Sequence, residues 1–195
     1  MSVTISEEYR ALNRKLHEDL SYYGAGHQTA QWYPKIAQFA QFIKASSVLD
    51  YGCGKGKMRK ELQSLMIVPY DPSVPEFNHE PEPHDLVVCL DVLEHIEPEL
   101  LDAVLDDLLR CTKIAVFFTI HLGPAQKVLA DGRNAHLIQK PVGWWLEKLT
   151  SRWDVMAVHK TASFEFMFTG QLFGLQEASE GRIRDERAAA KGVAA

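Results

Sequence analysis

Glycines and carboxylates at fixed offsets pose the first chemical question in this sequence. The stretch VLDYGCGKGKM, Val48 to Met58, carries Gly52, Gly54 and Gly56, where a ligand can approach the main chain without meeting side chains. A phosphate loop is written G-x-x-x-x-G-K-[ST]; here Gly52 to Lys57 falls one residue short, and Met58 offers no hydroxyl for magnesium. A dinucleotide fingerprint, G-x-G-x-x-G, needs its third glycine one residue later than Gly56. Asp50, just ahead of the glycines, opposes a pyrophosphate but attracts a ligand ammonium. Asp71 follows it by 21 residues, the spacing at which a carboxylate ending the next strand accepts hydrogen bonds from ribose hydroxyls. A glycine loop alone is equally an ordinary strand-to-helix turn. With both acids it asks for a ligand bearing a ribose and positive charge, as S-adenosylmethionine does.

Methyl transfer from a sulfonium is an in-line displacement, and a base is needed only when the acceptor must lose a proton. The candidate catalytic groups are Asp91 and His95 in LDVLEHI, His121 ending the next apolar run, and His136 in DGRNAHLIQKPVGWW. A histidine that titrates near neutrality is a natural base. Asp91, Glu94, His95 and His136 also offer a divalent metal set, although V-L-E-H equally shapes a helix entry without metal; the reading without a metal is preferred. The polar segment DGRNAHLIQKP has the character of a substrate lid. Within it Arg133 and Asn134 suit an acceptor carboxylate, phosphate or sugar, unless Asp131 and Gly132 make a turn that leaves Arg133 solvated. Of Trp144 and Trp145, one packs on the core and the other, taken as Trp144, stacks on a substrate ring. Tyr22, Tyr23 and His27 precede the second helix; Tyr23 and His27 are placed against the acceptor, with ordinary packing as the alternative.

The elements that must position these groups can be read from periodicity. SEEYRALNRKLHEDL puts Tyr9, Leu12, Leu16 and Leu20 on one helical face, with Ser6 as cap and Glu7 and Glu8 in the first turn. A second helix over Ala30 to Ala45 carries the stripe Trp32, Ile36, Phe39 and Ile43. The pattern then changes to short apolar runs, SSVLDYG, MIVPYD, DLVVCL and KIAVFFTIH, which suit strands buried on both faces of a parallel sheet. Helices fall between them, Lys57 to Leu65 and Pro98 to Arg110, the latter with Leu101, Val104, Leu105 and Leu108 inward. WWLEKL adds a last helix. WDVMAVHKTASFEFMFTGQL reads as two strands turning near Thr161 to Ser163, and so tight a connection makes them antiparallel. Strand–helix alternation means a doubly wound α/β sheet, whose ligand lies beyond the carboxyl ends of the strands. Those ends carry Asp50 to Gly56, Asp71, Leu90, Asp91 and His121.

The chain of 195 residues with 46% hydrophobic content can bury a full core, so a disordered protein is excluded. The division expected is N-terminal helices over 1–45 that pack on or cap the site, a main domain over 46–175 and a charged, alanine-rich tail over 176–195, together one domain. A net charge of -5 gives no field favouring duplex DNA or an anionic membrane. Cys53, Cys89 and Cys111 are odd in number and far apart, which argues against a disulfide framework or zinc knuckle. With no apolar run long enough for a span and no signal-peptide pattern, a soluble cytoplasmic protein with a small-molecule partner is expected. Nucleic acid is disfavoured, and the oligomeric state is left open.

VLDYGCGKG, YDPS and DLVVCLDVLEHI together resemble the class I, seven-stranded S-adenosylmethionine-dependent methyltransferases, over about Ser47 to Leu172. The resemblance implies a Rossmann-like sheet in the order 3-2-1-4-5-7-6, with the last-inserted strand antiparallel. It implies cofactor contacts from Asp50, Tyr51, Gly52, Cys53, Gly54 and Gly56, from Asp71 and Pro72 at the ribose, and from Leu90 and Asp91. One departure is evident: PSVPEFNHEPEPH, between Asp71 and Asp85, is too short and proline-rich for the usual helix and third strand, so that strand should be short or degenerate. The family's adenine-contacting acid then has no assigned counterpart, Glu80, Glu82 or a backbone group being open. D-x-x-E-H with a later histidine also resembles the E-x-x-E-H set of the 3′-terminal small-RNA 2′-O-methyltransferases. No N-P-P-Y or D-P-P-Y follows the fourth strand, unlike exocyclic-amine DNA methylases. Methylation of an O or N atom on a small polar acceptor is therefore expected, with metal-assisted ribose methylation or a non-catalytic cofactor-binding module as alternatives.

Overall fold

A computed structural model describes residues 3–19, 29–162 and 165–174. Tyr22, Tyr23, His27 and the expected tail over 176–195 lie outside the described residues. Helix α1 spans Glu7–Asp19. Ser6 caps it: the Ser6 Oγ accepts the Tyr9 N–H at 3.1 Å, satisfying an amide that the first turn leaves open. A short 3-10 turn, Thr29–Trp32, leads into α2, Tyr33–Phe42, which starts on the sequence Tyr-Pro because a proline in the first turn loses no helical hydrogen bond.

Six strands then form one sheet: β1 Val48–Tyr51, β2 Ile67–Tyr70, β3 His84–Leu90, β4 Thr112–His121, β5 Asp154–Ala162 and β6 Glu165–Gln171. Between them stand α3 Lys57–Glu61, α4 Leu101–Arg110 and α5 Val142–Thr150. The strand order is β2-β1-β3-β4-β6-β5. β1 runs parallel to β2 and β3, β3 parallel to β4, and β6 antiparallel to both β4 and β5. This is the expected doubly wound order with one member removed. The seven-strand expectation is corrected to six among the described residues, because residues 72–83 form no strand at all.

Two features explain that loss. The segment after β2 folds back on itself: the Val74 N–H donates to the Asp71 carbonyl at 3.2 Å, the Phe77 N–H to that of Val74 at 2.9 Å, and the Asp71 N–H to that of Phe77 at 3.2 Å. Its prolines also lack the amides a ladder needs. β2 is therefore an edge strand, and Pro69 within it is tolerated because only one side is paired. The outward carbonyl of Pro69 accepts a bond from His79 Nε2 at 2.9 Å, a side chain standing where a neighbouring strand would be.

The core lies on both faces of the sheet. α2 and the 3-10 turn pack Trp32, Tyr33, Ile36 and Ala40 onto Val48, Leu86, Val88 and Phe117. On the other face α4 and α5 bring Leu101, Val104, Leu105, Leu108, Trp145 and Leu149 onto Leu49, Val87, Cys89, Val116 and Phe118. The stripe read in α4 is the buried one. β1, VLDY, is buried at all four residues, so Asp50 enters the interior merely by belonging to that strand.

Candidate active site

The carboxyl ends of β1, β2, β3 and β4 open into a cleft of about 900 Å³, roofed by α1 and the segment after β4. Asp50, Tyr51, Gly52, Cys53, Gly54, Asp71, Pro72, Leu90 and Asp91 all line it. Gly56 does not; it begins α3 with φ +65° and packs on Phe77, whose Cζ would lie 3.0 Å from an added Cβ. Gly52 has φ +78°, and a Cβ there would meet Val92 Cγ2 at 2.5 Å, so the loop passes the β3 exit at glycine-only separation.

Asp50 accepts no hydrogen bond from the described residues and is 5% exposed. Burial first, and then the charge of Asp71, push its carboxyl up to about 7. Asp71 has a different setting: its Oδ2 accepts the Gly54 N–H at 3.0 Å and its Oδ1 the Ser73 N–H at 2.9 Å. One carboxylate thus ties the glycine loop to the turn after β2. Burial raises it, and the Ser73 and Gly54 amides counteract that rise. Each oxygen keeps a further lone pair. Glu80 and Glu82 are exposed and do not line the cleft.

At the end of β3 the chain turns sharply. Asp91 adopts φ +56°, a left-handed geometry that aspartate tolerates better than most residues, while its N–H donates to the Thr119 carbonyl at 3.1 Å. Glu94, fully buried, accepts the His121 N–H on Oε1 at 2.6 Å, and its Oε2 has no hydrogen-bond partner among the described residues. Burial and then the nearby charge of Asp91 hold the Glu94 carboxyl far above the usual range. Burial alone would raise Asp91; the Glu94 side chain and the neighbouring histidines reverse this and keep it anionic.

Three histidines complete this wall. His95 Nδ1 donates to the Ala135 carbonyl at 2.9 Å and His136 Nδ1 to the Gly123 carbonyl at 2.7 Å. A carbonyl can only accept, so each neutral ring carries its proton on Nδ1 and offers a lone pair on Nε2. Burial lowers both, His95 to about 4. The ring of His136 stands 4.7 Å from that of His95 and 4.8 Å from that of His121. Lys127 lines the same cleft; burial lowers its pKa and Asp91 offsets part of that shift.

The residues expected at the acceptor end fall elsewhere. Asp131 and Gly132 make a turn, Arg133 pairs with Asp131 at 2.6 Å and is exposed, and neither Arg133 nor Asn134 lines the cleft. Asn134 is a clasp: its Oδ1 accepts the Ala125 and His136 amides at 2.9 Å, and its Nδ2 donates to the Ala125 carbonyl at 2.9 Å. It thereby sets the position of His136. Trp144 packs at the edge of the core on α5, in edge contact with buried Trp145 and away from the cleft. Of the expected metal set, Asp91, His95 and His136 come together, while Glu94 accepts the His121 amide.

Helix α1 packs its expected apolar face inward: Leu12 and Leu16 join Tyr9 against Ile5, Leu129 and Ala135. Sequence reading missed the polar series beside it, in which buried Asn13 and then His17 line the cleft. The signal was a polar i, i+4 pair next to the leucines, which faces inward because α1 covers the polar cleft as well as that apolar cluster. Tyr9 OH donates to the His95 carbonyl at 2.6 Å, and Glu97 accepts both the Ser6 N–H at 2.8 Å and the Ser6 hydroxyl at 2.6 Å.

With this geometry in hand, relatives can be compared. Residues 25–160 match the family model described as a methyltransferase domain. The chain belongs to the class I, S-adenosylmethionine-dependent methyltransferases. Compared by sequence with curated proteins, it has no significant match. Solved structures share its fold. DhpI in complex with SAH aligns at TM-score 0.60 and 16% identity, over 88% of this chain and 98% of that one. Magnesium protoporphyrin IX methyltransferase from Synechocystis PCC 6803 with bound SAM aligns at TM-score 0.59 and 12% identity, over 87% and 100%. The 1,6-didemethyltoxoflavin-N1-methyltransferase of Burkholderia thailandensis aligns at TM-score 0.57 and 15% identity, over 88% and 92%. Among the described residues no helix is long and apolar enough to cross a membrane.

Proposed function

We propose that this methyltransferase moves the sulfonium methyl of S-adenosylmethionine to an oxygen or nitrogen of a small polar acceptor. The observation that carries the reading is the meeting, in one cleft, of the glycine loop with Asp50 and Asp71 on one side and Asp91, His95 and His136 on the other. In this reading Asp50 faces the cofactor's ammonium, the Gly52 to Gly54 backbone its methionine half, and Asp71 with Pro72 its ribose. The acceptor lies against the Asp91 wall, so its lone pair attacks along the S–CH3 axis. The carbon–sulfur bond breaks with its electrons going to sulfur, and S-adenosylhomocysteine leaves. Much of the rate comes from this alignment.

Closure of the cleft by α1 and a net charge of -5 both favour a small acceptor over nucleic acid. The Burkholderia structural relative holds 1,6-didemethyltoxoflavin, a small ring compound, in keeping with that choice. A ribose hydroxyl of a nucleotide or RNA end is the second reading, favoured by the convergence of Asp91, His95 and His136. Three free, buried cysteines accord with work in the reducing cytoplasm. The deciding experiment supplies methyl-labelled S-adenosylmethionine and a fractionated extract to the purified protein. Labelled small product together with S-adenosylhomocysteine is expected; no measurable affinity for S-adenosylmethionine would overturn the reading.

A further inference from the structure

We infer that Lys127 recognises a carboxylate on the acceptor, which fixes the substrate class as small hydroxy- or amino-carboxylates. Resting on the methyl-transfer reading, the inference narrows its acceptor to a singly charged anion. The chain after β4 puts this lysine in the cleft. Residues 125–136 double back on themselves: Val128 bridges Asn134 in antiparallel fashion, the Leu129 N–H donates to the Arg133 carbonyl at 2.7 Å, and the Ala135 N–H donates to the Lys127 carbonyl at 3.0 Å. The Asn134 side chain closes the neck of this hairpin on both backbone polar groups of Ala125.

Extended residues alternate between two sides. Leu129, 3% exposed, packs with Ile5 and Tyr9 beneath α1, whereas Val128 is 62% exposed. Lys127 stands two residues before Leu129 and shares its inward side, where it lines the cleft and is only partly exposed. Backbone pairing and a buried leucine therefore set the direction of the lysine side chain. Asp50 and Asp71 belong to the cofactor side of the cleft, while Lys127 stands near enough to Asp91 and His95 for charge to act between them. The other lysine of the cleft, Lys57, is on α3 and pairs with Glu61 at 3.5 Å.

The setting of this ammonium selects its partner. Burial lowers the Lys127 pKa, so a cation held here is short of water and is stabilised by a bound anion. Asp91 offsets part of that burial, but its charge also acts on His95, His136 and His121. Lysine is a compact point charge, without the planar fork by which arginine grips phosphate on two sides. One ammonium neutralises one negative charge. A phosphate dianion would bring a second, uncompensated charge beside Asp91, whereas a carboxylate brings none. With its carboxylate on Lys127 and its hydroxyl or amino group at the wall of Asp91 and the histidines, the acceptor is held at two points. Its nucleophile is thereby turned toward the sulfonium methyl. The role expected of Arg133, which is exposed and paired with Asp131, passes to the opposite arm of the same hairpin.

The test supplies the full chain with methyl-labelled S-adenosylmethionine and a small-molecule extract split on an anion exchanger. The retained fraction is used as it is, after phosphatase, and after amidation of its carboxylates with carbodiimide and excess methylamine. Methyl acceptance should lie in the retained fraction, survive phosphatase and vanish on amidation. For the acceptor purified from that fraction, Lys127→Met, which keeps the stem and removes the charge, should raise KM about tenfold or more. Its kcat and its affinity for S-adenosylmethionine should stay close to native, and Lys127→Arg should restore most of the KM. Lys140→Ala, an exposed position outside the cleft, should change none of these values. Acceptance that is absent from the retained fraction, survives amidation or is abolished by phosphatase overturns the inference, as does a native KM in Lys127→Met. Any of these results with normal S-adenosylmethionine binding leaves methyl transfer standing, so the two readings fail separately.

Discussion

Asp50 sits at the mouth of the glycine loop with its carboxyl pushed up to about 7 by burial and by Asp71. Between its ordinary value of 3.8 and about 7, the folded protein without cofactor holds a proton there that the unfolded chain has released. Stability from this group is therefore full in acid and is lost as the pH rises through 7. A cationic ligand favours the ionised form and expels the proton. Affinity for S-adenosylmethionine should accordingly climb from about pH 6 to about pH 8, with calorimetry in buffers of different ionisation enthalpy reporting proton release. Asp50→Asn should bind more weakly and lose that pH dependence. Gly52 is the second sensitive position. Gly52→Ala places a methyl 2.5 Å from Val92 Cγ2 at φ +78°, so the loop must shift. The backbone cost alone is about 1–2 kcal/mol, readable in urea unfolding, and cofactor affinity should fall with it. Both residues were legible beforehand, because the demands of a close-approach turn and of a buried charge are local. The buried link from Asp71 to Gly54 was not, since it joins residues brought together only when β2 pairs with β1.

Helix α1 shows how an element's apolar face can be legible while its polar contribution to the site is not. Its extent and Ser6 cap follow from local propensity, but the face it buries depends on what lies beneath. Glu97, 7% exposed, anchors the helix start through the Ser6 amide and hydroxyl. Glu97→Ala leaves those donors without their acceptor, so the protein should lose about 1–3 kcal/mol in thermal or urea unfolding. The roof over the cleft should loosen too, raising the KM for cofactor more than it lowers kcat. Tyr9→Phe removes the bond to the His95 carbonyl and should cost about 1 kcal/mol by the same assay. The segment after β4 shows the same limit. Its polar composition suggested a lid that grips substrate, whereas Asn134 spends its amide within the segment and Arg133 pairs with its neighbour Asp131. Polar residues that bind a ligand and polar residues that hold a loop look alike in sequence.

Across the whole molecule, the sheet sets the limits of what can change. Gly170 on β6 faces Val116 on β4, and a Cβ there would lie 2.8 Å from both Trp153 Cβ and Phe168 Cε1, inside the core beneath α4 and α5. Gly170→Ala should therefore overpack that core by about 1–3 kcal/mol, seen as a lower unfolding midpoint, with the cofactor affinity of the folded fraction unchanged. The opposite edge is more tolerant, because β2 has no outer neighbour among the described residues and the segment 72–83 is short and turn-rich. Pro69 was the available signal that this strand lies at an edge, since an interior strand would need its amide. By itself the sequence determined the α/β class, the four parallel strands with a terminal antiparallel pair, and the acids that begin the cofactor side, because each rests on periodicity or short spacing along the chain. Tertiary structure alone decided that Asn13 and His17 of α1 face the cleft, that Glu94 turns to the His121 amide, and that Arg133, Asn134 and Trp144 lie away from the cleft. Those outcomes depend on which groups share an edge, a roof or a cleft wall, and contacts of that kind are made in space between residues the chain keeps far apart.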